Sequence, residues 1–357
     1  MKKKILIIAT TPFCNDGLTK IEMQIIEYNN KLIDFEIASG FGFENEYGKI
    51  LKELNIKSHT LPPKRKIIKY MKAIKNLVSK GGFDSIYIHG NSAMMIIEAL
   101  PSKLAKASCI ITHCHNTKSK YPFFHYCLKP IFNSIVDIKI GCSRFSTNWA
   151  YNKKRTMCIL NGVDVEKFKY NEEIRDSIRQ KLGWGNNIII GHVGRFTEQK
   201  NHKKLIEIFD YLYKKNNNYR LLLIGEGELK ENIKKDVFNK SLQDVVCFLG
   251  ATNKVYEFYN VMDLVILPSS YEGLCIVALE AQANGLPVFL SDKLSPEHKV
   301  TDDTQIINLK LPSSEWAEII DKNKNWLHKN NKDKFILAEL DEKSMMEKVR
   351  KVLLQNG

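Results

Sequence analysis

VILPSSYEGLCIVALEAQANGLPVFL, residues 265–290, reads as strand, polar turn, helix and strand. The apolar run Leu264 to Leu267 is short, and Pro268-Ser269-Ser270 stops it. Gly273 opens a segment whose apolar residues Leu274, Ile276, Val277, Leu279 and Ala283 suit a buried helix. Asn284-Gly285 supply left-handed conformations that end helices, and Pro287 prevents continuation. Val288 to Leu290 is the next buried strand. Such a strand–helix–strand is a βαβ unit of a parallel sheet. Glu272 marks its turn and Glu280 lies inside its helix. At about 1.5 Å rise per residue they lie on the order of 12 Å apart. A hydrolase acid–base pair needs roughly 5–10 Å. The separation suits a long ligand with hydroxyl pairs at both ends. The N–H groups of Gly273, Leu274 and Cys275 between them favour an anionic phosphate. On spacing alone, one solvated glutamate and one favoured by the helix dipole is the plainer reading.

Outward from this stretch, 357 residues give room for two domains. The expected boundaries are residues 1–165, 166–335 and a helical tail over 336–357 that packs near the junction. Residues 1–165 carry 25 Lys/Arg against 12 Asp/Glu, leaving 29 against 28 of the totals 54 and 40 for the remainder. Nearly all of the +14 surplus therefore lies in the first half. A face of that kind attracts anionic membrane, nucleic acid or a phosphorylated acceptor. The eight cysteines form no C-x-x-C pair and sit mostly in apolar runs, which reads as reduced thiols in the cytoplasm. Residues 1–10 begin like a signal peptide, but the apolar run is too short and Pro12, Asn15 and Asp16 follow. No stretch approaches the ~20 apolar residues of a membrane span.

Strands are expected at Ile5–Ala9, Phe35–Ala38, Lys57–Leu61, Ile86–His89, Cys109–Thr112, Val136–Ile140 and Thr156–Leu160. A second series follows at Asn186–Ile190, Arg220–Ile224 and Val245–Leu249. The loop Thr10 to Gly17 joins the first strand to a helix starting at Thr19, at the sheet edge where ligands bind, but lacks G-x-G-x-x-G. Residues 64–80 form a basic amphipathic helix, packed on the sheet with a solvated lysine face that also suits anionic lipid. His113-Cys114-His115 invites a zinc reading. Alternate residues of extended chain face opposite ways and no second cluster completes a site, so one functional histidine at the strand end is preferred. Residues 118–129 are aromatic and basic, which suits an acceptor or membrane contact, with core packing the simpler reading of Tyr121, Phe123, Phe124 and Tyr126.

Arg195 and Lys200 share a glycine-containing loop after the strand at 186–190, where fixed cations can hold a diphosphate. Arg195, Lys200 and Asn201, the turn Gly225-Glu226-Gly227, Phe248-Leu249-Gly250, and Pro268-Ser269-x2-Glu272-Gly273-x6-Glu280-Ala281-x2-Asn284-Gly285-x-Pro287-Val288 occur in order. The chain in this respect resembles the retaining glycosyltransferases of family four, also called group-one glycosyltransferases, of the bacterial surface-polysaccharide type. The resemblance covers most of the chain and is most specific over residues 191–288. His113-Cys114-His115-Asn116 resembles that family's histidine motif and Asn161-Gly162-Val163-Asp164 its hinge signature. The sequence departs from the usual pattern in having one glycine, Gly17, in the N-terminal loop, and in carrying Cys275 where Pro or Ser is frequent.

The resemblance implies an α/β fold of two Rossmann-like domains facing each other across a cleft (GT-B), the first binding acceptor and the second nucleotide sugar. It places Glu272 near the donor sugar and Glu280 on the ribose diol. The amides of Gly273, Leu274, Cys275 and Ile276, with Arg195 and Lys200, would bind the diphosphate. Leu249 would offer backbone groups to the base, His115 would stand near the sugar, and Gly17 would face phosphates or acceptor. Glu272, His115, Arg195 and Lys200 are the expected catalytic set. The expected reaction is metal-independent transfer with retention, from a donor expected to be a UDP-sugar to a saccharide hydroxyl. The basic first half points to a lipid-diphosphate-linked acceptor and peripheral contact with the anionic inner face of the membrane, with no nucleic acid. The competing readings are a nucleotide-sugar epimerase of the same architecture and a non-catalytic membrane or nucleic-acid adaptor.

Overall fold

The computed structural model describes residues 2–13, 17–152, 156–323 and 328–355. Two compact units emerge, Met1–Gly162 with Lys343–Gly357, and Val163–Glu342. The first unit holds seven strands: β1 Lys3–Ala9, β2 Ile33–Ser39, β3 Lys57–Thr60, β4 Ser85–Gly90, β5 Ile110–Cys114, β6 Ile138–Gly141 and β7 Thr156–Cys158. Their sheet order is β3-β2-β1-β4-β5-β6-β7, parallel throughout. The helices of this part are α1 Gly17–Asn29, α2 Asn45–Glu53, α3 Ile67–Gly81, α4 Ile96–Leu104, α5 Pro122–Ile135 and α6 Arg144–Ala150. Ile5 to Ala9 are wholly buried, as a central parallel strand covered on both faces requires.

The second unit repeats the plan with β8 Ile188–Val193, β9 Tyr219–Ile224, β10 Val246–Gly250, β11 Leu264–Leu267, β12 Val288–Ser291 and β13 Thr304–Ile307. Its order is β10-β9-β8-β11-β12-β13, again parallel. The helices are α7 Glu172–Leu182, α8 His202–Lys215, α9 Lys230–Asn239, α10 Val255–Tyr259, α11 Ile276–Ala283, α12 Ser313–Lys322 and α13 Lys332–Leu337. A last helix, α14 Glu342–Gln355, belongs to the first unit from Lys343 onward. Both orders reverse direction once, beside the first strand of each unit, which is the doubly wound Rossmann-like arrangement.

The opening stretch is β11, turn, α11 and β12, with α11 starting at Ile276 rather than at Gly273. Only Gly285 of the pair Asn284-Gly285 is left-handed, at φ +94°, while Asn284 stays right-handed helical. Asn284 instead bonds outward, its Nδ2 donating to Phe168 O at 2.9 Å. A Cβ on Gly285 would stand 2.3 Å from Lys329 O, so both conformation and space demand glycine.

The aromatic stretch departs from expectation. In α5 the buried residues are His125, Phe132 and Asn133, while Tyr121, Phe123, Phe124 and Tyr126 are 51–73% exposed. They flank the narrow buried stripe instead of joining it. α3 keeps its amphipathic character but starts at Ile67 rather than at residue 64: Tyr70, Ile74 and Val78 are buried, Lys69, Lys72, Lys75 and Lys80 are exposed, and Ile67 and Ile68 in its first turn are exposed as well. The part of the N-terminal loop at residues 14–16 lies outside the described residues.

Two glycines test this backbone account by equilibrium urea unfolding. Gly285→Ala is expected to destabilise by about 2–4 kcal/mol through strain and backbone overlap. Gly48→Ala, inside α2 with nothing within 4 Å of its added Cβ, is expected to stabilise by about 0.5–1 kcal/mol.

Candidate functional site

β8 and β11 are sheet neighbours although β9 and β10 intervene in the chain. The loops leaving their C-terminal ends therefore meet at the point where the sheet order reverses. Backbone and side chain join them: Ser270 N donates to Gln199 O at 2.8 Å, and Asn201 Nδ2 to Pro268 O at 3.1 Å. Asn201 adopts φ +54°, a left-handed conformation asparagine accepts readily. The turn residues Gly225 and Gly227 let the end of β9 pass close by. A Cβ on them would stand 2.1 Å from Gly194 O and 2.6 Å from Phe196 N.

This zipper presents Lys200 Nζ at 2.6 Å from Glu272 Oε1, and Gln199 Nε2 donates to Glu272 Oε2 at 2.9 Å. Burial disfavours the Lys200 ammonium, but Cys275, Glu272 and Glu280 more than offset it and hold the group above its ordinary value. Burial pushes the Cys275 thiol up to about 12, so at neutral pH it is uncharged and the two carboxylates carry the effect. Arg195 is exposed and has no ion pair among the described residues, so the structure does not bring it onto Glu272.

The turn before α11 holds the expected amides, with one correction. Cys275 N donates to His298 Nε2 at 2.5 Å, so this amide is already engaged. His298 Nδ1 lies 2.5 Å from Ser295 O, which fixes the proton on Nδ1 and leaves Nε2 as the acceptor. The amides of Gly273, Leu274 and Ile276 have no acceptor among the described residues. Glu280 is buried inside α11, its Oε2 accepting from Tyr259 OH at 2.8 Å. Leu249 is skipped in the β10–β9 register, which passes from Phe248 to Gly250. A bulge of this kind leaves a residue out of the ladder at a strand end.

In the first unit, β4 and β5 pair His89 with His113. His113 and His115 share a face, and Cys114 between them joins the core, as alternation requires. His89 Nδ1 stands 3.1 Å from His115 Nε2, and Tyr87 OH 2.9 Å from His113 Nδ1. His89, from a different strand, joins them as a third imidazole, and ring nitrogens of the three lie within 4.8 Å of one another. The His89–His115 contact uses one nitrogen of each for the other. Burial lowers His115 to about 3 and holds His89 and His113 well below the ordinary value, so all three are neutral near pH 7. Gly17 starts α1, exposed, beyond the C-terminal end of β1.

Four supporting residues escaped sequence reasoning: Gln199, Tyr259, His298 and His89. Only His89 had a signal, as the last residue of the expected strand Ile86–His89, the one before the strand that leads into His113-Cys114-His115.

A family model described as glycosyl transferases group 1 matches residues 174–354, just over half of the chain. A UDP-Gal:alpha-D-GlcNAc-diphosphoundecaprenol alpha-1,3-galactosyltransferase of Escherichia coli is 26% identical over 322 residues, covering 82% of this chain and 80% of its own. EpsF of Bacillus subtilis (strain 168), whose name marks its glycosyltransferase assignment as provisional, is 29% identical over 70% of this chain and 69% of its own. The crystal structure of Anabaena Alr3699/HepE in complex with UDP and glucose superposes with a TM-score of 0.82. It is 18% identical and covers 99% of this chain and 100% of that one, which shows a shared GT-B fold.

The buried imidazoles make stability depend on pH. Burial is the leading cause of the lowered values at His125, His192, His298 and His328, each about 4, as it is at His115. The unfolded chain takes up these protons near pH 6.5 and the native state only near 4 or below. Their contribution is thus complete above about pH 6.5 and lost as pH falls towards 4. Unfolding free energy is expected to drop between pH 6.5 and 4.5 by about 1.4 kcal/mol per pH unit for each such histidine. His298→Gln is expected to lower that slope by one proton, read from urea midpoints; a slope unchanged by the substitution would count against the buried neutral state.

Proposed function

The chain belongs to the group 1 glycosyl transferases, and from that membership we propose that it transfers a sugar with retention from a UDP-sugar to a saccharide hydroxyl. The acceptor in this reading is lipid-diphosphate-linked and serves surface glycan assembly. The observation that carries the proposal is the Lys200–Glu272–Gln199 cluster at the switch point, next to the open amides of Gly273, Leu274 and Ile276. Lysine retains two further N–H donors after pairing with one carboxylate oxygen, and Arg195 is exposed on the same loop. These cations and the N-terminus of α11 stabilise the leaving nucleoside diphosphate, the charge that grows as the bond loosens. The mechanism is therefore proposed as metal-independent.

In the transfer step the bond between the sugar anomeric carbon and the phosphate oxygen breaks, and the acceptor oxygen bonds to that carbon from the same face. The acceptor proton passes to a phosphate oxygen of the leaving group. Glu272 faces the sugar hydroxyls, Glu280 the ribose diol and Leu249 the base. His115, kept neutral by burial, serves as a hydrogen-bonding group for the sugar rather than as a cation. The donor and acceptor classes draw support from the relatives, one of which is named for UDP-Gal and a diphosphoundecaprenol-linked sugar.

Membrane contact is part of the same proposal. The exposed Phe123, Phe124 and Tyr126 of α5 lie near Lys118 and Lys120 in the chain, and α3 adds an exposed lysine face. Apolar rings flanked by cations suit the interface of an anionic bilayer. Among the described residues no helix is long and apolar enough to cross a membrane.

Release of nucleoside diphosphate in the presence of acceptor is the assay. Lys200→Ala, Arg195→Ala and Glu272→Ala are each expected to lose roughly 10²–10³-fold in kcat, and full activity in all three would overturn the assignment. Phe123→Ser with Phe124→Ser is expected to weaken sedimentation with phosphatidylserine-containing vesicles by roughly tenfold or more. Unchanged sedimentation would remove the membrane from the account.

A further inference from the structure

Tyr259 is wholly buried at the end of α10, and its hydroxyl makes one contact, 2.8 Å to Glu280 Oε2. A phenylalanine would fill the same space, since the ring packs edge-on against Phe168 with centroids 5.7 Å apart. The hydroxyl is therefore the part that needs explaining. Burial and the Glu280 charge hold the phenol well above its ordinary value, so it remains a protonated donor at any working pH. Glu280 Oε1 has no donor among the described residues.

The support is cross-linked to the helix it serves. Asn260, the next residue, uses Oδ1 to accept from Asn284 Nδ2 at 3.2 Å and from Asn171 N at 2.7 Å. Arg175 Nη1 donates to Asn260 O at 2.9 Å. Asn284 follows α11, so the end of α10 and the end of α11 are bonded to one another. Tyr259 and Glu280 thus approach from two elements that cannot shift independently. The terminal torsion of a glutamate is broad and soft on its own. A fixed phenol on one carboxylate oxygen removes that freedom and leaves the other oxygen available in a set direction.

We propose that Tyr259 is a positioning residue, which orients the Glu280 carboxylate so that it discriminates for a ribose diol. This rests on the reading that Glu280 binds the ribose of a nucleotide. Preorganisation of this kind acts on nucleotide affinity and on selectivity for the hydroxyls, with little effect on the transfer step itself.

Calorimetric titration of the full chain tests it, using UDP, GDP and ADP and the 2′-deoxy form of whichever binds tightest. Wild-type protein is expected to lose roughly tenfold in affinity for the deoxy form, as befits a lost hydrogen bond to a charged group. Tyr259→Phe is expected to bind the ribonucleotide roughly tenfold more weakly and to retain less than about threefold discrimination. Full affinity and full discrimination in Tyr259→Phe would overturn the proposal, even with a lowered melting temperature, because the hydroxyl would then serve stability alone. Equal binding of ribo and deoxy forms by the wild type would instead show that Glu280 does not read the ribose, and the proposal would fall with that reading. Absence of binding by all three diphosphates would remove the donor site itself, and the proposal with it.

Discussion

The site depends on one juxtaposition: β8 and β11 lie side by side in a parallel sheet although far apart in the chain. That adjacency makes the loop ending in Lys200 and the turn bearing Glu272 share one sheet edge. The bonds Ser270 N to Gln199 O and Asn201 Nδ2 to Pro268 O then fix their register. The 2.6 Å contact between Lys200 and Glu272 follows from this backbone zipper rather than from two long side chains finding each other. A pair restrained in that way has little conformational entropy left to lose, unlike the surface pairs whose net worth is near zero.

Around this pair, burial works to keep other groups uncharged. The Cys275 thiol is raised, and His298 and His192 are lowered. Lys200 is the exception, held charged by carboxylates despite its burial. A half-buried cation that stays charged, beside unengaged amides, is an environment for an anion. The neutral His298 has a separate part: it takes the Cys275 amide and holds the turn, while Gln282 Oε1 accepts from Val300 N and Thr301 N at 3.0 Å to keep the His298 loop against α11. The carboxylates are supported in the same manner, Glu272 by Gln199 and Glu280 by Tyr259.

Much of this was readable from the sequence because central parallel strands leave a strong trace. Ile5–Ala9 and Leu264–Leu267 are continuous apolar runs, and both are wholly buried strands. Glycine and proline punctuation located the turns after them, and with the turns came Lys200, Glu272 and Glu280. Polar surface helices were less visible: α7 carries Glu172, Glu173, Arg175, Arg179 and Lys181 and buries only Arg179, so no apolar stripe announces it. β13, α6 and α12 likewise stand outside the expected elements, and the aromatics of α5 suggest a core segment although the structure exposes them. Supporting residues were invisible for a different reason. Tyr259 and His298 gain their meaning from contacts 21 and 23 residues away, which no local pattern encodes. His89 became legible once β4 and β5 were paired.

The central claim is that the second unit holds a nucleotide sugar through the loops leaving β8 and β11. Amide hydrogen exchange, measured by mass spectrometry on the full chain with and without UDP-glucose, addresses it directly. The account predicts slower exchange on adding the ligand in peptides spanning residues 194–201 and 270–280, with α9 unchanged. Protection confined to other segments, or none at ligand concentrations that saturate binding, would contradict it.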